Sequence, residues 1–258
     1  MTGFLRRAGL ILALPAVLFV VWYVATDSSE SFYVPPLRRI LIAFKDTWTP
    51  DRLRSEVVPS LLRLLAGYLL AVVLGIAIGV LIGSYRRVRA TAEPVLEFFR
   101  AIPPPVLVPV IMLFAGIGNG MKVIVIVSGC VWPILLNTVE GVRAVDSVLI
   151  DTARSYRLSG LARLRRLILP SAGPQIVTGM RQALSIAIIL MVISEMFAAS
   201  NGLGFTIVQF QRSFAIPEMW SGIILLGLIG FVLSELFRLA ERRVLAWYHG
   251  QRDAVRRS

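Results

Sequence analysis

Leu64-Leu65-Ala66-Gly67-Tyr68-Leu69-Leu70-Ala71-Val72-Val73-Leu74-Gly75-Ile76-Ala77-Ile78-Gly79-Val80-Leu81-Ile82-Gly83-Ser84-Tyr85 is a run without a single charge, closed by Arg63 on one side and Arg86 on the other. About 20 mainly apolar residues in a helix cross the hydrocarbon of a bilayer, so this stretch reads as a transmembrane helix. Within it Gly67, Ala71, Gly75, Gly79 and Gly83 recur every four positions. That spacing places them on one helix face, where small residues let another backbone approach closely. The ridge is expected to serve tight helix packing; a sliding surface in a conformational change is the sharper alternative.

Similar windows lie on both sides. Ala8–Thr26, Ala101–Met121 and Val123–Val139 are each free of charge. Gln182–Gln211 contains one charge, Glu195, and Met219–Ser234 is extended past Glu235 by Leu236 and Phe237. The sequence therefore predicts an all-α polytopic membrane protein with about six transmembrane helices. The chain is 57% hydrophobic and 16% charged, with mean hydropathy +0.77. Soluble domains sit near about 45–50% and about 25%, so an ordinary soluble globule and a disordered chain are both excluded. Arg6 and Arg7 ahead of the first window also suit a signal peptide, but the apolar run exceeds the usual core of such signals. A retained helix is expected, and cleavage would leave the other spans unchanged.

The chain carries 27 Lys and Arg against 15 Asp and Glu, for a net charge of +12. With the N-terminus inside and six crossings, segments 1–7, 84–100, 140–173 and 238–258 fall on the inner side. Together they hold 18 basic and 7 acidic residues, whereas the outer segment 27–63 is only +1. The positive-inside rule accounts for the excess, and a nucleic-acid surface is not needed to explain it. The expected organisation is a first transmembrane helix at 1–26, an external segment at 27–63, a core at 64–245 containing the inner loop 140–173, and a basic tail at 246–258. In the external segment Leu37, Ile40, Leu41, Phe44 and Trp48 form an apolar stripe at helical spacing. This amphipathic helix lies either on the membrane surface or against the bundle.

The third window is irregular. Pro103-Pro104-Pro105 and Pro109 open it, and Gly116-Ile117-Gly118-Asn119-Gly120 closes it. Proline removes helix hydrogen bonds and glycine breaks helices, so a short or broken helix with a tight turn is expected, either lining a pathway or making a packing kink.

Catalytic chemistry is absent from the pattern. His249 is the sole histidine and Cys130 the sole cysteine, so no catalytic residue and no metal site is expected. Lys45 and Lys122 are the only lysines, and neither sits in a phosphate-binding loop motif; if ATP drives this chain, another subunit holds it. Glu195 is a candidate gate or ligand residue, or a capped residue near a helix end. Asn137, with Thr138, either lines a path or caps a helix.

The inner loop is the most informative segment. Asp151-Thr152-Ala153-Arg154-Ser155-Tyr156-Arg157, Leu158-Ser159-Gly160 and Leu161 to Leu169-Pro170 read as two short helices with a turn at Ser159-Gly160. Pro170 and Pro174 are expected to stop the second helix before the membrane. Thr152 and Ala153 are small, so a partner surface can approach the first helix. This segment resembles the EAA loop of binding-protein-dependent ABC importer permeases, which reads E-A-A, three residues, G, nine residues, I-x-L-P. Asp151, Thr152 and Ala153 stand at E-A-A, Arg157 at the glycine, and Leu167, Leu169 and Pro170 at I-x-L-P. Arg157 is the main departure, and it suggests that the turn has moved to Gly160.

Ala101-Ile102-Pro103-Pro104 through Phe114-Ala115-Gly116-Ile117-Gly118 resembles the nitrate/sulfonate/taurine subfamily. So do Asn137–Val142 and Ser194-Glu195-Met196 through Gly202-Leu203-Gly204. The resemblance implies a type I importer fold and a permease homodimer in a bacterial cytoplasmic membrane, with both termini inside. It further implies a cytoplasmic ABC ATPase dimer holding ATP and Mg, docked on Asp151–Leu169, and an external solute-binding protein. The implied cargo is a small anion such as an alkanesulfonate, taurine or nitrate, although related permeases take other solutes, thiamin-precursor pyrimidines among them. A stand-alone secondary transporter or channel would call for several intramembrane charges or an inverted repeat. A membrane-embedded enzyme would call for convergent His, Cys or carboxylate groups.

Overall fold

A computed structural model describes residues 13, 17–27, 31–158, 160–197 and 199–248 of the 258-residue chain. Among these, every regular element is helical. The segments 1–12 and 249–258, and with them the retained-or-cleaved question, His249 and all but residues 246–248 of the basic tail, lie outside the described residues, as does Ser159.

The helices are α1 (Val17–Thr26), α2 (Leu37–Thr47), α3 (Pro50–Ser84), α4 (Arg86–Arg100), α5 (Val108–Ala115), α6 (Asn119–Arg143), α7 (Ser147–Ser155), α8 (Gly160–Phe197), α9 (Leu203–Arg212) and α10 (Ile216–Val244). Four of them, α3, α6, α8 and α10, are each long and apolar enough to cross a bilayer. The pair α4–α5, bent by 83°, makes a fifth span by length and composition, and α1 is apolar but short over its described part.

Helix direction follows from who meets whom. Gly67 faces Ile126, Gly75 faces Ile134, Gly79 faces Thr138 and Gly83 faces Val142, so α3 and α6 run parallel at a constant offset. A Cβ added at any of these four glycines would stand 2.6–2.8 Å from the facing side chain. The glycine ridge is thus where α6 lies against α3, at a separation only a missing side chain permits. Ala71, on the same ridge, is fully buried. On its other side α6 meets α8 in antiparallel sense: Gly129 contacts Leu190, Gly179 contacts Pro133 and Asn137, and Gly141 contacts Ala172. Tyr68 Oη donates to the Met180 carbonyl at 3.0 Å, and Cys130 Sγ to the Ala183 carbonyl at 3.3 Å. The core of Leu64, Met121, Ile126, Ile134, Leu190 and Met191 fills the space between these three helices.

Because α3 and α6 are parallel, the chain between them must travel from one end of the bundle to the other. At the usual rise per residue, α6 is about 37 Å long, whereas α5 with the 3-10 turn Pro104–Leu107 covers only about 20 Å. The prolines at 103–105 break the ascent, and α4, expected as inner loop, is an amphipathic helix leaning at the bundle end with no buried residue. The Arg-rich segments around α4, α7 and the end of α10 therefore share one end, here called the basic end.

Proline does not interrupt α8. Pro170 and Pro174 lie inside one continuous 38-residue helix, contrary to the expected stop. The reason is local. Leu164–Ile168 is a π-turn, in which Leu169 N–H reaches back to Leu164 O. The widened turn accommodates the ring of Pro170, which has no N–H to donate. The same device opens α3, where the π-turn Leu53–Val57 stands two residues ahead of Pro59.

At the end opposite the basic one, α2 packs on α10 through Leu37, Ile40, Ala43 and Thr47, with Trp48 Nε1 donating to Ser221 Oγ at 3.0 Å. Of the two expected sites for this helix, the bundle is the one observed. Trp22 and Trp220 stack edge-on at 5.9 Å and Phe32 meets Phe214 at 6.2 Å, an aromatic cluster of the kind that marks a membrane–water boundary. The most apolar 18 residues of α10 include none that is buried, which leaves that face for lipid or another copy.

Candidate functional site

Two constellations stand out, one at each end. At the end opposite the basic one, α3, α6, α8 and the turn before α9 converge on Glu195. Its carboxylate is 0% exposed. It accepts from Ser60 Oγ at 2.7 and 2.9 Å, from Arg63 Nη1 at 2.7 Å and from Gly204 N at 3.0 Å. The Gly202-Leu203-Gly204 turn wraps this carboxylate. Gly202 has φ +119, and a Cβ there would fall 2.5 Å from the carboxylate carbon. Leu203 N donates to Ser60 Oγ at 2.9 Å, and Glu56 Oε2 accepts from Gly202 N at 2.7 Å and Thr206 Oγ1 at 3.1 Å.

Arg63 spends its remaining donors on Asn119 Oδ1 at 2.8 Å and on the carbonyl and side chain of Asn201. Lys122, on α6, is also buried. Every buried side-chain polar atom among the described residues has a partner. A buried ion pair this fully hydrogen-bonded holds its elements in one arrangement. It is a clamp across three helices, and its carboxylate has no free face for a ligand within the protomer.

Asn137 is elsewhere. It lies at the α6–α8 contact beside Gly179. The helical rise puts that point about 24 Å along α8 from Glu195. Asn137 Nδ2 donates to the Pro133 carbonyl at 2.8 Å. Glu195 and Asn137, read from sequence as one possible pathway, are not brought together. Ser60, Arg63, Glu56 and Asn119 were not singled out by the sequence. The hint available was a Ser and an Arg one turn apart at the head of an apolar span.

At the basic end Asp146 caps α7, its Oδ1 accepting from Val148 N at 2.8 Å. Asp151 pairs with Arg154 at 2.9 Å, and Thr152 Oγ1 donates back to the Val148 carbonyl. The polar groups of α7 are satisfied within the helix, while Val148 and Tyr156 stand 68% and 78% exposed on the face that also carries Thr152. Ala153 is turned the other way and buried within the chain. Leu167 and Leu169 are half-buried, and Pro170 is exposed.

The helix ends at Arg157, not at Gly160. Arg157 takes φ +54, its N–H bonds the Arg154 carbonyl and Leu158 N–H bonds the Ala153 carbonyl, both at 2.8 Å. That is a Schellman ending with a left-handed residue, the place where glycine is favoured. Arg157 adopts the glycine conformation at the glycine position, so the expected shift of the turn does not occur. Gly160, φ +52, opens α8 separately.

The family model for the binding-protein-dependent transport system inner membrane component matches residues 71–246. The chain belongs to this family. The permease is 30% identical over 238 residues to the putative aliphatic sulfonates transport permease SsuC of Bacillus subtilis, covering 92% of this chain and 86% of that one. It is 31% identical to the taurine transport permease TauC of Escherichia coli, covering 95% and 92%. It is 28% identical to the bicarbonate transport permease CmpB of Synechococcus elongatus, covering 92% and 90%. Among solved structures, the inward-facing MetNI methionine ABC transporter aligns with TM-score 0.63 at 19% identity, over 75% of this chain and 95% of that one, which establishes the shared fold. The permease is accordingly a multi-pass membrane component of a binding-protein-dependent ABC importer, and a type I importer fold carries it.

Proposed function

We propose that this permease forms, as a homodimer, the membrane path for a small oxyanion-bearing solute such as an alkanesulfonate, taurine or nitrate. One observation carries the reading: relatives named for aliphatic sulfonates, taurine and bicarbonate each align over more than nine-tenths of the chain. All three solutes are small and bear a sulfonate or carbonate group.

In this reading the basic end faces the cytoplasm. A separate ATPase dimer, which holds ATP and Mg, docks on the exposed face of α7 through Val148, Thr152 and Tyr156. Closure of that dimer pushes α7 and the rigid α8 behind it, and the spans change between inward- and outward-facing arrangements. Two discrete packings of close-fitted helices carry such motion. An external binding protein delivers the solute to the opposite end. The chain itself catalyses nothing.

The test is uptake into liposomes holding the permease, its ATPase and its binding protein. ATP-dependent accumulation of taurine or an alkanesulfonate is expected, with no uptake when the ATPase is left out and no ATP turnover by the permease alone. Uptake by the lone chain would establish a stand-alone transporter instead. A pyrimidine, a cation or a sugar as the tight ligand of the binding protein would overturn the oxyanion assignment.

A further inference from the structure

We propose that the arginine-lined cleft at the basic end binds the phosphate of an anionic membrane phospholipid. The cleft has a volume of about 400 Å³ and lies where α3 and α6 end, α4 begins and the α7–α8 segment returns. Its lining includes Arg86, Arg89, Arg143, Arg154 and Arg163 and no Asp or Glu. Arg143 and Arg154 are neutralised by Glu140 and Asp151, three residues away on their own helices, at 2.7 and 2.9 Å. Arg86, Arg89 and Arg163 have no ion pair among the described residues. Three arginines from two separate segments thus line one cleft without an ion pair of their own, although Arg89 also borders Glu93, Glu97 and Glu140 on its other side.

Depth selects the ligand. Ser84 is the last residue of the apolar span α3, and Arg86 opens the next helix, so the cleft lies where hydrocarbon gives way to headgroup. A phosphodiester offers one negative charge and two free oxygens, which guanidinium forks bind in parallel, and basic pockets at this level between transmembrane helices suit anionic headgroups. The helix that supplies Arg86 and Arg89 also offers an acyl chain a place. Along it Val88, Thr91, Ala92, Val95 and Leu96, with Arg87 at the edge, line an open and mainly apolar surface, and α4 has no buried residue. A free anion uses the arginines and leaves that surface unused; a lipid uses both.

A phosphate in the cleft bridges Arg86 and Arg89 at the span ends to Arg163, behind the docking helix. Lipid composition would then tune how firmly α7 is tied to the spans. That consequence rests on the coupling role proposed above, whereas the binding does not, and the binding is measured on the permease alone.

The full-length permease is titrated with phosphatidylglycerol or phosphatidylcholine in detergent and bound lipid is read by native mass spectrometry. The triple variant Arg86→Gln/Arg89→Gln/Arg163→Gln is expected to weaken phosphatidylglycerol binding at least about tenfold and to leave phosphatidylcholine binding unchanged. The triple Arg165→Gln/Arg242→Gln/Arg243→Gln removes the same charge from the same end outside the cleft and is expected to bind like the parent. Should the first triple not fold, Arg86→Gln and Arg163→Gln singly are each expected to show about a threefold loss. Equal losses in the two triples would mean non-specific charge attraction and overturn the site. Displacement of the lipid by about 10 mM inorganic phosphate would make the cleft a free-anion site and overturn the lipid assignment.

Discussion

Arg157 holds a left-handed backbone conformation. An L side chain reaches that conformation only at a cost of about 1–2 kcal/mol. The hydrogen bonds that end α7 require it, so the strain is accepted and the turn stays in register. Arg157→Gly is therefore expected to stabilise the permease by about 1 kcal/mol, read as a higher melting temperature in detergent; a lower one would show that the guanidinium makes a compensating contact. Phe214 ends α9 in the same way, with φ +57 and Ala215 N–H bonded to the Phe210 carbonyl at 2.9 Å. Glu195 is the opposite case, a charge whose surroundings are wholly committed to it. Glu195→Ala leaves Arg63 buried without its carboxylate and is expected to cost about 3–5 kcal/mol. Arg63→Met with Glu195→Leu is expected to recover much of that loss. The parent, Arg63→Met, Glu195→Leu and the double variant, melted side by side, would show additive effects if the two residues act independently.

Among the elements, α6 is the axis of the fold, flanked by glycines of α3 on one side and packed on α8 on the other. At Gly79 an added Cβ would meet Thr138 Cβ at 2.6 Å and the Leu135 carbonyl at 2.9 Å. Gly79→Val is expected to destabilise by about 1–3 kcal/mol through overpacking. Gly227, on α10, has nothing within 4 Å of the same position, and Gly227→Ala is expected to be neutral within about 0.5 kcal/mol. Thermal scans of the two variants check the contrast, and equal effects would mean that the α3–α6 contact is not close-packed in the membrane. The four-residue repeat marked this ridge in the sequence, since it is local. The π-turns ahead of Pro59 and Pro170 were not legible, because proline alone signals a break and only the backbone register shows how the break is avoided.

For the whole molecule, charge and helix direction agree. The contacts send α3, α6 and α10 one way and α8 the other, and the Arg-rich segments gather at one end as the inside-positive count expects. In a Cys130→Ala background, Ser213→Cys is expected to react with a membrane-impermeant maleimide in intact cells, and Arg165→Cys only after the membrane is opened. The reverse pattern would invert the proposed orientation. Buried Cys130 gives the parent little background in this assay.

Composition, charge and four-residue periodicity determined that the chain is a helical membrane protein, and the spacing from Asp151 to Pro170 pointed to its family. These signals are local or additive, so one sequence carries them. The tertiary structure decided what depends on residues far apart in the chain. It joined Ser60 and Arg63 to Glu195 across more than 130 positions, separated Glu195 from Asn137, bent α4 against α5 and brought Arg86, Arg89 and Arg163 to one cleft. A buried charge can be spotted in a sequence, but its partner is fixed only when packed helices bring the two within hydrogen-bond reach.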